Sequence, residues 1–418
     1  MTRNRRPLDG IVVIDFTQAL AGPVATSIMA DYGATVIKVE NTKGSEMSRH
    51  VGLHKALSAD PLIGGDSFWA INRNKNGISV DTRNPEGMDI VYKLLEKADV
   101  IVSNYRPGTT KAMGIDYDSL KERYPRLICA EIGAFAEKAR EREPAFDAII
   151  QAASGVLECT GEPERPSKVG FSITDVTSGL FLVQGIMFAL YDREKTGRGQ
   201  NVEVRMQDAA MFFFQQEVVD LLNVPDYRDF RYGSRSNISC PNGGAKTKDG
   251  FIIINPANDK LWKVFCTEVI DRPEWLADPR YDNSLHRLEN NEQLWVDIEE
   301  IFSQWTTEEI FERMKAANLP ASPIESSKNA FLKAQAEGRH IVAEIEHPLF
   351  GKLGACGYVV DMSETPAFVD KGAPILGQDT DDVLKRLGGY SEQEIADLKQ
   401  RGVIRNYRDE IDLVSIQH

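Results

Sequence analysis

Two short apolar runs lie near the start of the chain, Ile11-Val12-Val13-Ile14-Asp15 and Thr35-Val36-Ile37-Lys38-Val39-Glu40. Each has the length and β-branched content of a buried strand. Between them, Gly22-Pro23 suits the first turn of a helix that the spacing extends to about Tyr32, where Gly33 stops it. Strand, helix and strand in that order demand a parallel pair joined by a right-handed crossover. Residues 41–66 read as polar loop. A third strand follows at Ile78-Ser79-Val80-Asp81. Asn84-Pro85 then opens a helix with one apolar face at Ile90, Val91, Leu94 and Leu95. Val100-Ile101-Val102 is a fourth strand, running into Asn104-Tyr105-Arg106-Pro107-Gly108, and Leu127 to Ile132 is a fifth. The first 135 residues are thus expected to form a doubly wound α/β sheet, whose ligands bind in loops at the carboxyl ends of the strands.

Beyond that sheet, Phe146 to Arg193 is mostly helical in pattern, and Val202-Glu203-Val204-Arg205 is a short strand. Met206-Gln207-Asp208 opens what reads as a long apolar helix. Residues 225–250 resemble an extended linker, and residues 251–325 a smaller α+β unit. After Pro320 the chain returns to strands, including Gly357-Tyr358-Val359-Val360, and ends in two helices. The second is opened by the capping box Ser391-Glu392-Gln393-Glu394. The expected domains are residues 1–224, 225–325 and 326–418, the last rejoining the first. The net charge of −14 argues against nucleic acid as the main partner, although basic loops can still hold an anion. Five dispersed cysteines without a CxxC pair suggest reduced thiols and a cytoplasmic protein. Pro7-Leu8-Asp9-Gly10 interrupts the basic start, so no secretory signal is expected, and no run suggests a membrane partner.

Ser172-Ile173-Thr174-Asp175-Val176-Thr177-Ser178-Gly179 delivers a carboxylate to the start of an apolar helix. Asp175 is open to two readings there, a structural cap or a catalytic carboxylate. In either, unpaired N–H groups and the helix dipole are expected to hold its pKa down. Competing chemistries find little support. The turn from Phe16 to Pro23 lacks G-x-G-x-x-G, there is no P-loop and no G-x-S-x-G elbow, and His50 with His54 form HxxxH without a neighbouring glutamate or third ligand. No metal is expected. A carboxylate can itself attack an acyl thioester, giving a mixed anhydride and a thiolate that can return to make an aspartyl thioester.

The chain resembles the class III CoA-transferases (CaiB/BaiF type), the family of formyl-CoA:oxalate CoA-transferase. The resemblance runs through Pro7 to Thr17, Ala21-Gly22-Pro23, Gly33 to Glu40, Asn72 to Ile78, Asn104 to Gly108, Lys195 to Gln200, Met206 to Ala209 and Ala373 to Thr380. It implies a Rossmann-like large domain built from both chain ends, a smaller domain between, and an interlocked homodimer. It also implies Asp175 as nucleophile, coenzyme A as co-substrate with no tightly bound cofactor, and an acyl-CoA and a carboxylic acid as partners. Carried over, CoA contacts fall on Leu20, Ala21, Asn104, Tyr105, Thr109 and Met206. Lys38, Arg73, Lys75, Arg106 and Lys111 are basic residues placed to meet phosphates. Leu20 stands where the oxalate enzyme has a glutamine, Phe146 where it has a tyrosine, and its glycine-rich lid is reduced to Asn242-Gly243-Gly244. These departures imply an acceptor larger or less polar than oxalate, with Gly243 or Gly244 offering an oxyanion N–H. Glu137 to Pro144 reads as a charged loop that either faces water or contacts substrate. The sister activity is α-methylacyl-CoA racemase, which pairs a histidine with the aspartate; Phe146 stands in that histidine's place, leaving proton abstraction one group short.

Overall fold

In the computed structural model, which describes residues 5–44, 46–52, 62–225, 231–347 and 351–407, the five expected strands form and lie in one seven-stranded sheet. Val12–Asp15 is central. Thr35–Glu40, Asn76–Val80 and Ile404–Arg405 follow on one side, and Val100–Ser103, Ile128–Gly133 and Asn201–Arg205 on the other. Every pairing is parallel except that of Ile404–Arg405, which runs antiparallel to Asn76–Val80. The winding reverses between Val12–Asp15 and Val100–Ser103, and a doubly wound sheet opens its ligand crevice beyond such a point.

This sheet belongs to a unit made of Met1–Ser154, Gly170–Val218 and Ala334–His418. Its inward residues Ile14, Ile37, Ile78 and Ile101 cluster with Ile90, Val91, Leu94 and Leu95 of the helix Pro85–Leu95. Asn84 caps that helix by accepting the Glu86 N–H. Val383, Leu384, Ile395 and Leu398, from the helices Thr380–Arg386 and Glu392–Gln400, join the same core, and the Ser391/Glu394 capping box is formed. The helices Ala21–Asp31 and Ile173–Thr196 pack closely on each other. A Cβ at Gly179 would stand 2.7 Å from the Ala21 carbonyl oxygen, so this contact requires glycine.

The helix Ile173–Thr196 is 24 residues long, and its most apolar window has a mean hydropathy of 1.6. By length and composition it could cross a membrane, contrary to the expectation that no run comes near this. Yet Thr174, Ser178, Leu182, Ile186, Ala189 and Arg193 form one buried stripe along it, and Arg193 is paired with Asp99. The spacing of that stripe is that of a helix laid on a protein core.

Elsewhere the chain departs from expectation in small ways. The helix at Met206 ends at Met211 and gives way to a 3-10 turn, Phe212–Phe214, before Val218–Asn223. Residues 357–360 form no strand. Val342–His347 pairs instead with Gly351–Cys356, and the Gly357 and Tyr358 amides close back onto the Ile341 and His340 carbonyls.

The second unit comprises Gly155–Val169 and Val219–Lys333. It includes residues 155–169, which the sequence assigned to the first domain. They form a hairpin, Gly161–Glu162 with Arg165–Pro166, and its carbonyls at Gly161, Glu162 and Pro163 accept from the Gly233 N–H and the Arg231 guanidinium. Part of the expected linker is a strand, Gly243–Lys246, in a three-stranded antiparallel sheet with Phe251–Ile254 and Ala321–Pro323. Trp262, Phe265, Trp295, Phe302 and Met314 fill the core beneath it.

Candidate active site

The helix Ile173–Thr196 begins with an unsatisfied turn that its own cap does not serve: Ser172 makes no side-chain bond there. Asp147 supplies it from another helix. Its Oδ1 accepts the Thr174 N–H and the Thr174 hydroxyl, both at 2.8 Å, and its Oδ2 accepts Gln151 Nε2 at 2.6 Å. Capping therefore falls to Asp147, and Asp175, in the first turn, keeps its carboxyl for something else. That carboxyl lines a cavity of about 380 Å³. Burial, with the Asp147 charge added, pushes its pKa up to about 7. The expectation of a depressed value is thus overturned: loss of water outweighs the helix terminus.

The cavity lies where the loops after three parallel strands meet. Gln18, Ala19 and Ala21 come from the first, Asn104, Tyr105, Arg106 and Thr109 from the fourth, and Ile132 and Gly133 from the end of the fifth. Phe146 and Met206 add apolar wall, and Glu141, Glu143 and Pro144 of the charged loop also line the cavity, with Glu143 and Pro144 exposed to solvent. A second hollow of about 310 Å³ shares Gln18, Tyr105 and Thr109 with it. It extends along the strand ends to Glu40, Asn41, Thr82 and Arg83. The two hollows adjoin at these shared residues, beside the switch point where a doubly wound sheet opens its ligand crevice.

Asp175, Ala21, Asn104, Tyr105, Thr109, Phe146 and Met206 are therefore gathered at one place. Others are not. Leu20 is the residue before the helix Ala21–Asp31 and does not line the cavity. Lys38 is fully buried, donating to the Thr17 carbonyl at 2.9 Å and facing Glu46 at 3.4 Å. Arg73 is held by Asp31 at 2.6 Å and by the Gly357 carbonyl, and Lys75 is buried against Asp15 at 3.0 Å. These three cations hold the fold together and have no surface left for a phosphate, because a buried charge must keep its partner. Arg106 does reach the cavity. Asn104 also differs in role from a plain ligand contact. Its amide is spent on the Gln18 backbone, accepting the N–H at 2.8 Å and donating to the carbonyl at 2.7 Å.

Gly243 and Gly244 lie in the second unit. The Gly244 N–H donates to the Ser234 carbonyl at 3.0 Å, so it is not free for an oxyanion. Gly243, at φ +149, has Arg235 so near that a Cβ would lie 2.6 Å from its Cα. Among the described residues no group of three His, Cys, Asp or Glu side chains could hold a metal. His50 closes a 3-10 turn, Met47–His50, and His54 lies outside the described residues. The sequence missed Asp147, Glu46 and Met47. Asp147 had a signal in its place beside Phe146 just ahead of an apolar helix; Glu46 and Met47 sit in a stretch with no periodicity.

The model of CoA-transferase family III matches residues 8–380. Human succinyl-CoA:glutarate CoA-transferase is 30% identical over 406 residues, covering 96% of this chain and 90% of that protein. Formyl-CoA:oxalate CoA-transferase of Rhodopseudomonas palustris is 30% identical over 425 residues, covering 96% and 97%. Among solved structures, a CaiB/BaiF family protein from Brucella suis superposes with a TM-score of 0.81 at 27% identity, over 92% of this chain and all of that one. A cleft at the strand ends, a matching family model and named transferases aligned over nearly the whole length agree: the chain is an enzyme of CoA-transferase family III.

Proposed function

We propose that the enzyme moves coenzyme A from an acyl-CoA to a free carboxylic acid through covalent intermediates on Asp175. The observation that carries this is the Asp175 carboxyl, relieved of capping by Asp147, raised to about 7 and lining the cleft. A carboxylate stripped of water is a stronger nucleophile than a solvated one. Its oxygen attacks the thioester carbonyl, the C–S bond breaks, and CoA leaves as thiolate while a mixed anhydride forms. The thiolate attacks the Asp175 carbonyl, releasing the donor acid and leaving an aspartyl-CoA thioester. An acceptor carboxylate then attacks that carbonyl, expelling the thiolate and forming a second anhydride. The thiolate attacks the acceptor's acyl carbon, and Asp175 is regenerated. No electrons change hands, and the thioester energy is kept throughout.

Phe146 and Met206 give the cavity an apolar wall suited to an aliphatic acyl chain, and Arg106 brings a cation to it. On this reading the nucleotide end of CoA extends toward the hollow reaching Arg83, whose guanidinium can meet a phosphate. Among the described residues of the lining there is no histidine to serve as a second base, which weighs against isomerisation. A homodimer is part of the same proposal. Leu180, Phe188, Tyr191, Phe212 and Phe213 are all exposed by about half or more, an apolar surface of the kind that second copies cover.

The test is trapping. The protein is incubated with a panel of acyl-CoA esters that includes succinyl-CoA and formyl-CoA, quenched with hydroxylamine or borohydride, and its peptides are weighed. A modified Asp175 is expected with at least one donor. An unmodified Asp175 across the panel, with solvent deuterium entering the α-position of the acyl group, would refute transfer and favour isomerisation.

A further inference from the structure

The loop after the first strand turns through Ala19 at φ +61, a left-handed conformation that residues with a side chain rarely adopt. Side chains hold each amide leading into that bend. The Thr17 N–H donates to Asp15 at 2.8 Å, the Gln18 N–H to Asn104 at 2.8 Å and the Ala19 N–H to Glu46 Oε1 at 2.9 Å. Glu46 reaches both sides of the cleft wall. Its Oε1 also accepts the Ser48 N–H at 3.0 Å and the Ser48 hydroxyl at 2.7 Å, fixing the turn Met47–His50. Its Oε2 faces Lys38, which donates in turn to the Thr17 carbonyl. The Glu46 side chain is only 2% exposed, yet Ala19 and Met47, at the two turns it holds, both line the Asp175 cavity.

We propose that Glu46 is a positioning residue for acyl-CoA: one buried carboxylate clamps the bend at Ala19 and the turn at Met47, so that the cleft wall beside Asp175 is shaped before substrate arrives. This rests on Asp175 being the site of acyl transfer. A glycine at position 19 would adopt the bend unaided; with alanine there, the shape depends on an outside acceptor.

The experiment first measures wild-type transfer with the donor that labels Asp175, and the affinity for free coenzyme A by calorimetry. No transfer with any donor would overturn the functional reading and this proposal with it. Given an active wild type, Glu46→Ala is expected to lower kcat/KM for the donor at least tenfold per folded molecule, with weaker CoA binding. Adding Ala19→Gly to that variant is expected to recover at least threefold. Because activity is counted per folded molecule, the rescue reads positioning apart from the stability that a glycine also returns at a left-handed position. Where Glu46→Ala fails to fold because Lys38 is left unpaired, the double variant Glu46→Leu with Lys38→Met removes both buried charges and the acceptor together; it should show the same loss and the same rescue by Ala19→Gly. A folded variant with kcat/KM within twofold of wild type, or a loss that Ala19→Gly does not relieve, would overturn the role of Glu46 while leaving transfer at Asp175 intact.

Discussion

Replacing Asp175 by asparagine keeps the side chain's volume and removes its charge. The pKa of Asp175 is raised from 3.8 to about 7, so the folded protein holds that proton more tightly than the unfolded chain does. By linkage, wild-type stability falls as pH climbs from about 4 to about 7, and the loss is complete above the folded pKa. With those two values the penalty is about 2 kcal/mol at pH 5 and about 4 kcal/mol at pH 8. Asparagine has no such penalty. The variant should therefore be more stable than wild type, and its advantage should widen by about 2 kcal/mol between pH 5 and pH 8. Urea unfolding of both proteins at the two pH values measures this, and transfer activity is read on the same samples. The expected result is a protein that is more stable and inactive, the trade found where a charge is buried for function. A constant difference between the two proteins at pH 5 and pH 8 would refute the raised pKa. A fully active variant would refute the nucleophile.

Since the carboxylate form must attack, kcat/KM should rise with pH up to about 7 and then level. Asp147→Asn removes the neighbouring charge, so that rise should shift to lower pH, seen in the pH–rate profile, while the weakened cap at Thr174 costs about 1 kcal/mol in urea unfolding. Arg73→Ala should destabilise the fold by about 3–5 kcal/mol, because it leaves Asp31 buried without its guanidinium. Calorimetry on the folded fraction should show unaltered affinity for CoA; a large loss would return Arg73 to the phosphate site. Gly179→Ala forces a methyl group against the Ala21 carbonyl oxygen and should cost about 1–3 kcal/mol in urea unfolding, since backbone there cannot give way.

The parallel sheet was legible because strands such as Val12–Asp15 and helices such as Pro85–Leu95 carry their burial pattern locally, in runs of β-branched residues or in one apolar face. The strand Ile404–Arg405 was not, because two residues have no period. Asp175 could be singled out by its place at the start of an apolar helix. The direction of its pKa could not, because the desolvation arises only on packing and the added charge comes from Asp147, 28 residues earlier. Lys38 and Arg73 looked like phosphate ligands for a related reason. A strand-end cation reads the same whether its partner is a ligand or an internal acid, and Glu46 and Asp31 meet these cations only once the chain has folded. The clamp on Ala19 was equally invisible, since a left-handed alanine has no sequence signature when a distant side chain holds it.

The strand Ile404–Arg405 also sets a timetable for synthesis. Asn76–Val80 waits for its outer neighbour until the ribosome has added more than 300 further residues, from Val80 to Ile404. At about 5–20 residues per second that is an interval of roughly 15–65 s. Throughout it, a nascent chain carries an unpaired strand edge. The face that Val383, Leu384, Ile395 and Leu398 will cover stays bare for nearly as long. A ribosome stalled midway through the second unit would thus display a ready template for strand addition, and a chaperone that binds extended apolar segments would find its natural target at Ile78 and Val80.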